Sequence, residues 1–366
     1  MSLIKKIFLG ISGAIAAIVI FDVFAYLLYT NHPDPDHTDL SVKIIPKHTQ
    51  AIYYTMKHFS YQGKVSDKYG YELVPNSTPY VNAFGTFDRE YSVLKPADTY
   101  RILVVGDSVT NAHGIYPDKK RYTEIVAEKL NSMQGLDNIK YEVINAGFSG
   151  YDLGEYAAYM EAKAEKFQPD MVIIGITHTD TDIRSYIPLF IYNHEVLFYK
   201  SNSRGNSFFH NYICRYSLFW RLLLAFQIER NERIEYIERN ERIGYFLDDD
   251  KNSETIKRIK RITESNNAIL LAIIFPKIKK LTDCSNAEIN HHRYILELIK
   301  NNNIDFLDLT GGLIEKGNDT IIEDLKIEPD DEHHFSEKGH KIIGDLLFNH
   351  LQDNYEFSNP DNDPFK

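Results

Sequence analysis

Four short stretches hold residues with the types and spacing that nucleophilic chemistry requires. In "RILVVGDSVTNAHG" (101–114) an apolar run stops on Gly106, Asp107 and Ser108, so a buried strand delivers a hydroxyl to the edge of a sheet. "NAGFSGYD" (145–152) carries Gly147 and Gly150, where tight turns can aim backbone N–H groups outward. "GITHTDTD" (175–182) supplies His178, Thr179 and Asp180, and "DDEHHFSEKGH" (330–340) supplies two overlapping D-x-x-H pairs. A serine hydroxyl is a poor nucleophile until a histidine takes its proton, and that histidine needs an acid to fix its tautomer and stabilise the imidazolium. Amides near the serine would stabilise the oxyanion of an acyl transfer.

These residues act together only if the fold brings them to one face. Apolar runs at 102–105, 141–144, 171–176, 269–275 and 304–309 read as strands, and segments 123–131, 153–167, 254–266, 287–300 and 337–351 read as helices. Continuous apolar strands alternating with helices predict an α/β, three-layer α/β/α fold with a central parallel sheet covered on both faces. In such sheets ligands bind outside the carboxyl ends of the strands, which is where three of the four stretches fall. The fourth precedes the last helix. There Ser336 suits an N-cap, Phe335 a staple to the core, and Ile342, Ile343, Leu346 and Leu347 the buried face.

In order and position these motifs resemble the SGNH, or GDSL-type, hydrolase family, over roughly 76–351 apart from an insertion. The resemblance implies a flavodoxin-like fold and ester hydrolysis, with Ser108 as nucleophile and the amides of Ser108 and Gly150 as oxyanion donors. Asp330 with His333 and Asp331 with His334 both satisfy D-x-x-H; "HFSEKGH", read from His334, suits the family pattern better and favours Asp331 and His334. The third motif departs from the family. Thr179 stands where an asparagine donor is expected, while Asp180 is retained. A threonine hydroxyl donates one hydrogen bond from a shorter arm, so a weakened or specialised site is expected. Asp107, Asp180 and His178 are candidates for supporting roles. An O-acyltransferase using the same triad, or a non-catalytic protein that uses the cleft for binding or assembly, are the alternatives.

The chain has 366 residues and a net charge of −11, without long basic runs, which argues against a nucleic-acid partner. No P-loop, dinucleotide-binding or zinc-finger spacing is present, so no cofactor is expected. The imidazoles and carboxylates of 178–182 and 330–334 could in principle hold a divalent metal, but each already has a role in the serine reading, and no metal site is assigned. The partner expected is an ester-bearing substrate, an acylated carbohydrate or lipid.

Lys5 and Lys6 precede an apolar run at 7–29, followed by the acidic, proline-broken "TNHPDPDHTD". A run of about 23 residues is roughly 35 Å long as a helix, enough for a ~30 Å hydrocarbon core. Lysines before and acids after predict a single-pass anchor with the N-terminus cytoplasmic and the bulk of the chain outside. Asp22 is the objection, and a signal peptide cut after "AIA" (14–16) is the rival. The expected organisation is an anchor at 1–30, a linker at 31–50, a hydrolase-like domain at 51–355 with an insertion at 186–251, and a tail at 356–366. Within the insertion, "ERNERIEYI" and "ERNERIGYF" form a near-duplication that reads as a solvated helix or a lid. Cys214 and Cys284 could pair or stay free. His291 and His292 read as surface, and Asp248–Asp250 as a loop ending a helix.

Overall fold

The computed structural model describes residues 3–30, 63–66, 69–76, 81–115, 120–133, 139–181, 185–192, 195–201, scattered positions between 217 and 230, 249–315 and 319–355. The chain divides into two compact units, 1–72 with 184–242 and 73–183 with 243–366.

In the first unit, α1 (Leu3–Thr30) is a 28-residue helix. Phe8, Leu9, Ile20 and Phe24 on it are more than half exposed. Asp22 accepts the N–H of Phe219 at 3.0 Å, and the rings of Phe21 and Phe219 meet edge to face. Among the described residues no helix is long and apolar enough to cross a membrane, so the spanning anchor expected for this segment finds no support there. The unit also contains β1 (Gly63–Ser66), all of β2 (Gly70–Leu73) but its last residue, and an antiparallel hairpin, β6 (Ser185–Tyr192) with β7 (Glu195–Ser201). Apart from Arg230, the near-duplication at 229–246 lies outside the described residues, as does Cys214.

The second unit is built on five parallel strands: β3 (Thr99–Gly106), β4 (Lys140–Gly147), β5 (Met171–Ile176), β8 (Ile269–Ile274) and β9 (Asp305–Asp308). Their spatial order is β4-β3-β5-β8-β9, the 2-1-3-4-5 order of flavodoxin-like sheets. Side chains alternate across each strand. Ile102, Val104, Val143, Ile173 and Ile273 share one core cluster with Val126 and Leu130 of α3 (Tyr122–Ser132), with Leu325 of α7 (Asp319–Leu325) and with Ile343 and Leu347 of α8 (Glu337–Asn354). The intervening Leu103, Val105, Ile144, Ile174 and Ile274 are buried on the other face, where α4 (Leu153–Phe167), α5 (Asp249–Ser265) and α6 (Asn286–Asn301) belong. A sheet covered on both faces explains why its strands are continuous apolar runs.

The helix boundaries follow local chemistry. Asp152 and Glu155 form a capping box at the start of α4, and Ser285 and Glu288 form another on α6. Ser336 caps α8 by accepting the N–H of Gly339. Asp249 and Asp250 correct the loop reading of 248–250: they form the first turn of α5, where carboxylates complement the helix dipole.

The segment leading into the sheet is tied down by buried polar groups. Arg101, fully buried, pairs with Glu142 at 2.8 Å and donates to the carbonyls of Phe167 and Ser92. Asp88 accepts from the Tyr91 hydroxyl and the Asn145 N–H. Its carboxyl is pushed up to about 7 by burial and by the neighbouring Glu124.

Candidate active site

Ser108 opens α2 (Ser108–Asn111), a single turn that starts directly after β3. Asp107 is its N-cap and accepts the Val109 N–H at 2.8 Å. Glycine lets this turn sit low on the sheet. A Cβ at Gly147 would come within 2.2 Å of the Asn111 nitrogen, and one at Gly106 within 2.0 Å of Thr110 Oγ1. The ends of β3 and β5 flank the point where strand order reverses, the usual crevice of an open α/β sheet. Ser108 lies at one end and 177–180 at the other.

The two D-x-x-H pairs separate cleanly. Ser108 Oγ and His334 Nε2 are 2.9 Å apart, and His334 Nδ1 is 2.7 Å from Asp331 Oδ2. The other Asp331 oxygen accepts the backbone N–H groups of His333 and His334. Burial works against the charge on Asp331, but these N–H groups and the His334 ring hold its carboxyl below the ordinary range. His333 turns away and stacks on His178, with ring centroids 4.5 Å apart. Burial, then the nearby His333 and Lys277, depress His178 to about 3, so it is a neutral wall at neutral pH.

Behind Ser108 lies a second set of polar contacts. Thr177 Oγ1 is 3.1 Å from Asp107 Oδ2, 2.9 Å from Asp180 Oδ1 and 3.0 Å from Thr179 Oγ1. Asp180 Oδ2 accepts the Thr177 N–H at 2.7 Å and the Tyr156 hydroxyl at 2.8 Å. Both carboxyls are pushed up by burial, Asp180 further because Asp107 sits beside it. Thr177, Tyr156 and the His178–His333 stack were not singled out by sequence reasoning. Their partners are distant in the chain, and only the "T-x-T-D" spacing hinted that hydroxyls gather around Asp180.

A cavity of about 200 Å³ opens beside Ser108, lined also by Asp107, Val109, Thr177, His178, Thr179, Phe275, Pro276, His333 and His334. Gly150 takes φ +77°, as its tight turn requires, but is exposed and does not line this cavity. His113 packs its ring 5.1 Å from that of His334. Two further expectations change. His291 is buried, with Nε2 2.7 Å from the Thr181 hydroxyl, and His292 pairs with Asp308; neither is a free surface histidine. Cys284 is a free thiol, and burial raises its pKa. The arrangement can take a proton from Ser108 and hold the resulting imidazolium against a carboxylate.

No family model matches the chain, and no curated protein does. Solved structures with related backbones include the acetyl xylan esterase AlAXEase, at 16% identity with a TM-score of 0.44 over 69% of this chain and 99% of that one. The psychrotrophic esterase EstA from Pseudoalteromonas sp. is similar at 14% identity, with a TM-score of 0.40 over 69% and 97%. TesA is similar at 12% identity, with a TM-score of 0.42 over 69% and 98%. These likenesses are too distant to assign chemistry, which has to be read from this chain's own side chains.

Proposed function

We propose that this chain is a serine ester hydrolase of the SGNH type, acting on an acylated carbohydrate or lipid outside the cytoplasm. One observation carries the reading: Ser108 Oγ, His334 and Asp331 form a continuous chain of contacts at 2.9 and 2.7 Å. In this reading Ser108 attacks the ester carbonyl while His334 Nε2 takes its proton, and Asp331 holds the ring and the charge. His334 then protonates the leaving alcohol. Water, deprotonated by the same ring, clears the acyl-enzyme. Ser108 N–H and the Thr179 hydroxyl are the proposed oxyanion donors, with Thr179 supported by its place on the cavity wall. The small cavity favours a short acyl group, with the alcohol portion left outside.

A fluorophosphonate probe tests the nucleophile. Wild type is labelled and releases p-nitrophenol from p-nitrophenyl acetate, whereas Ser108→Ala does neither. A folded wild type that resists the probe would sink the hydrolase reading in favour of a binding protein. A membrane tether through α1, with the N-terminus cytoplasmic, belongs to the same proposal. It is supported by Lys5 and Lys6 before the apolar run, the acids after it, and the exposed apolar side chains of the helix. Retention of the full chain in the membrane fraction through an alkaline wash is expected, and its release would rule the tether out.

A further inference from the structure

The single proton of the Thr177 hydroxyl cannot serve both acids behind Ser108 when both are ionised. Thr177 Oγ1 carries one proton, yet it sits within hydrogen-bond distance of Asp107 Oδ2 and of Asp180 Oδ1. With two carboxylates, it donates to one and turns lone pairs on the other. The hydroxyl of Thr179 could then answer Asp180 Oδ1 only at 3.4 Å, a poor bond that would also remove its proton from the cavity. One added proton resolves the conflict, and the contacts say where it goes. Asp107 accepts the Val109 N–H at the start of a helix turn and lies near His334, which favours its charge. Asp180 Oδ2 already accepts from the Thr177 N–H and the Tyr156 hydroxyl, as a carbonyl oxygen does. Asp180 Oδ1 meets only hydroxyls.

We propose that Asp180 is a positioning residue that works as a neutral acid: its Oδ1–H donates to Thr177 Oγ1, Thr177 donates to Asp107 Oδ2, and the Thr179 hydroxyl, 3.0 Å from Thr177 Oγ1 on the cavity wall, no longer has to answer Asp180. The chain runs from a fully buried acid to the cap of the turn that carries Ser108, so it fixes that cap and a donor on the cavity wall together. Thr179, exposed to the cavity, thereby does with a hydroxyl what a side-chain amide would do without help. The catalytic consequence rests on the serine reading above, but the proton on Asp180 does not. The titratable groups that face Asp180 are Asp107 before α2 and Tyr156 on α4, with Asp152 beyond Tyr156 and His334 beyond Asp107. Burial, then the charge of Asp107, pushes the Asp180 carboxyl up, in the direction the contacts require.

Asparagine mimics a neutral acid with the same shape, donating through its NH₂ and accepting through its carbonyl. Wild type, Asp180→Asn and Asp180→Ala are compared by p-nitrophenyl acetate hydrolysis and by thermal unfolding across pH. A carboxyl whose pKa is raised by folding lends stability that is fully present below the ordinary value near 4 and is lost as pH rises through the raised value. Asp107 is present in all three proteins, so the difference between their curves belongs to Asp180. Asp180→Asn is expected to keep kcat within about threefold, while Asp180→Ala loses about 10²-fold in kcat with little change in KM. Above pH 4 wild type is expected to lose Tm more steeply than Asp180→Asn. An Asp180→Asn enzyme as slow as Asp180→Ala, or superimposable pH curves for wild type and Asp180→Asn, overturns the neutral acid. If wild type resists the fluorophosphonate probe, the function reading fails separately, and the two pH curves alone decide where the proton sits.

Discussion

The two sides of Ser108 use the same residue types under opposite electrostatic conditions. On the His334 side, the side chains of His334 and Asp331 are 24% and 22% exposed, and Asp331 is held ionised by two N–H groups and the ring. On the Thr177 side, Asp180 is wholly buried and Asp107 nearly so, and hydroxyls replace the ring. A carboxylate near water keeps its charge at little cost, whereas a buried one must find donors or hold a proton. In the proposed reaction this difference divides the tasks: the wet side moves a proton, and the dry side, on the proposed assignment, holds one so that hydroxyls point in fixed directions.

The comparison breaks most directly on its wet side. His334→Ala is expected to lower kcat by roughly 10⁶-fold and Asp331→Asn by about 10⁴-fold, since an amide donating to Nδ1 favours the tautomer with Nε2 protonated, which cannot take the Ser108 proton. Equal losses would mean that Asp331 does more than orient the ring. Next in size is the floor on which both sides stand. Gly147→Ala drives a Cβ into the backbone of α2 and is expected to cost about 3 kcal/mol in chemical denaturation, with activity falling because Ser108 shifts. A variant of unchanged stability would show that the turn is free to move.

Smaller effects sharpen the contrast. Thr179→Ala is expected to lose about 10²-fold in kcat, the usual effect of losing one oxyanion donor, and Thr179→Asn to retain or raise activity. A Thr179→Ala enzyme with wild-type kcat would remove that hydroxyl from the oxyanion site. The acid limb of stability then separates Asp331 from Asp180. Folding lowers the pKa of Asp331, so its contribution is fully present above the ordinary value near 4 and is lost as pH falls through the lowered one. Asp331→Asn should therefore flatten the Tm–pH curve below pH 4, where Asp180→Asn changes nothing. Last, the exposed Lys120–Glu337 pair at the foot of α8 serves as the control. Lys120→Ala is expected to change stability by less than about 0.5 kcal/mol, as read by urea unfolding.

Much of the sheet-bearing unit was legible in the chain itself. The runs at 171–176 and 153–167 coincide with β5 and α4, and the other strands and helices differ only at their ends. Apolar period and capping chemistry are local properties, set within a few residues. The N-terminal run shows where that locality fails, because Asp22 finds its partner on Phe219, almost two hundred residues away.

The sequence by itself determined the alternation of strands and helices, the serine at a strand end and the presence of two acid–histidine pairs before the last helix. Each follows from side-chain period, turn chemistry or a spacing of three residues. Only the tertiary structure decided that His334 meets Ser108 while His333 stacks on His178, that His291 is buried, and that Thr177 stands between two carboxylates. Those outcomes depend on groups 70 to 226 residues apart meeting within a hydrogen bond's length, where burial, not residue type, fixes which acid keeps its charge.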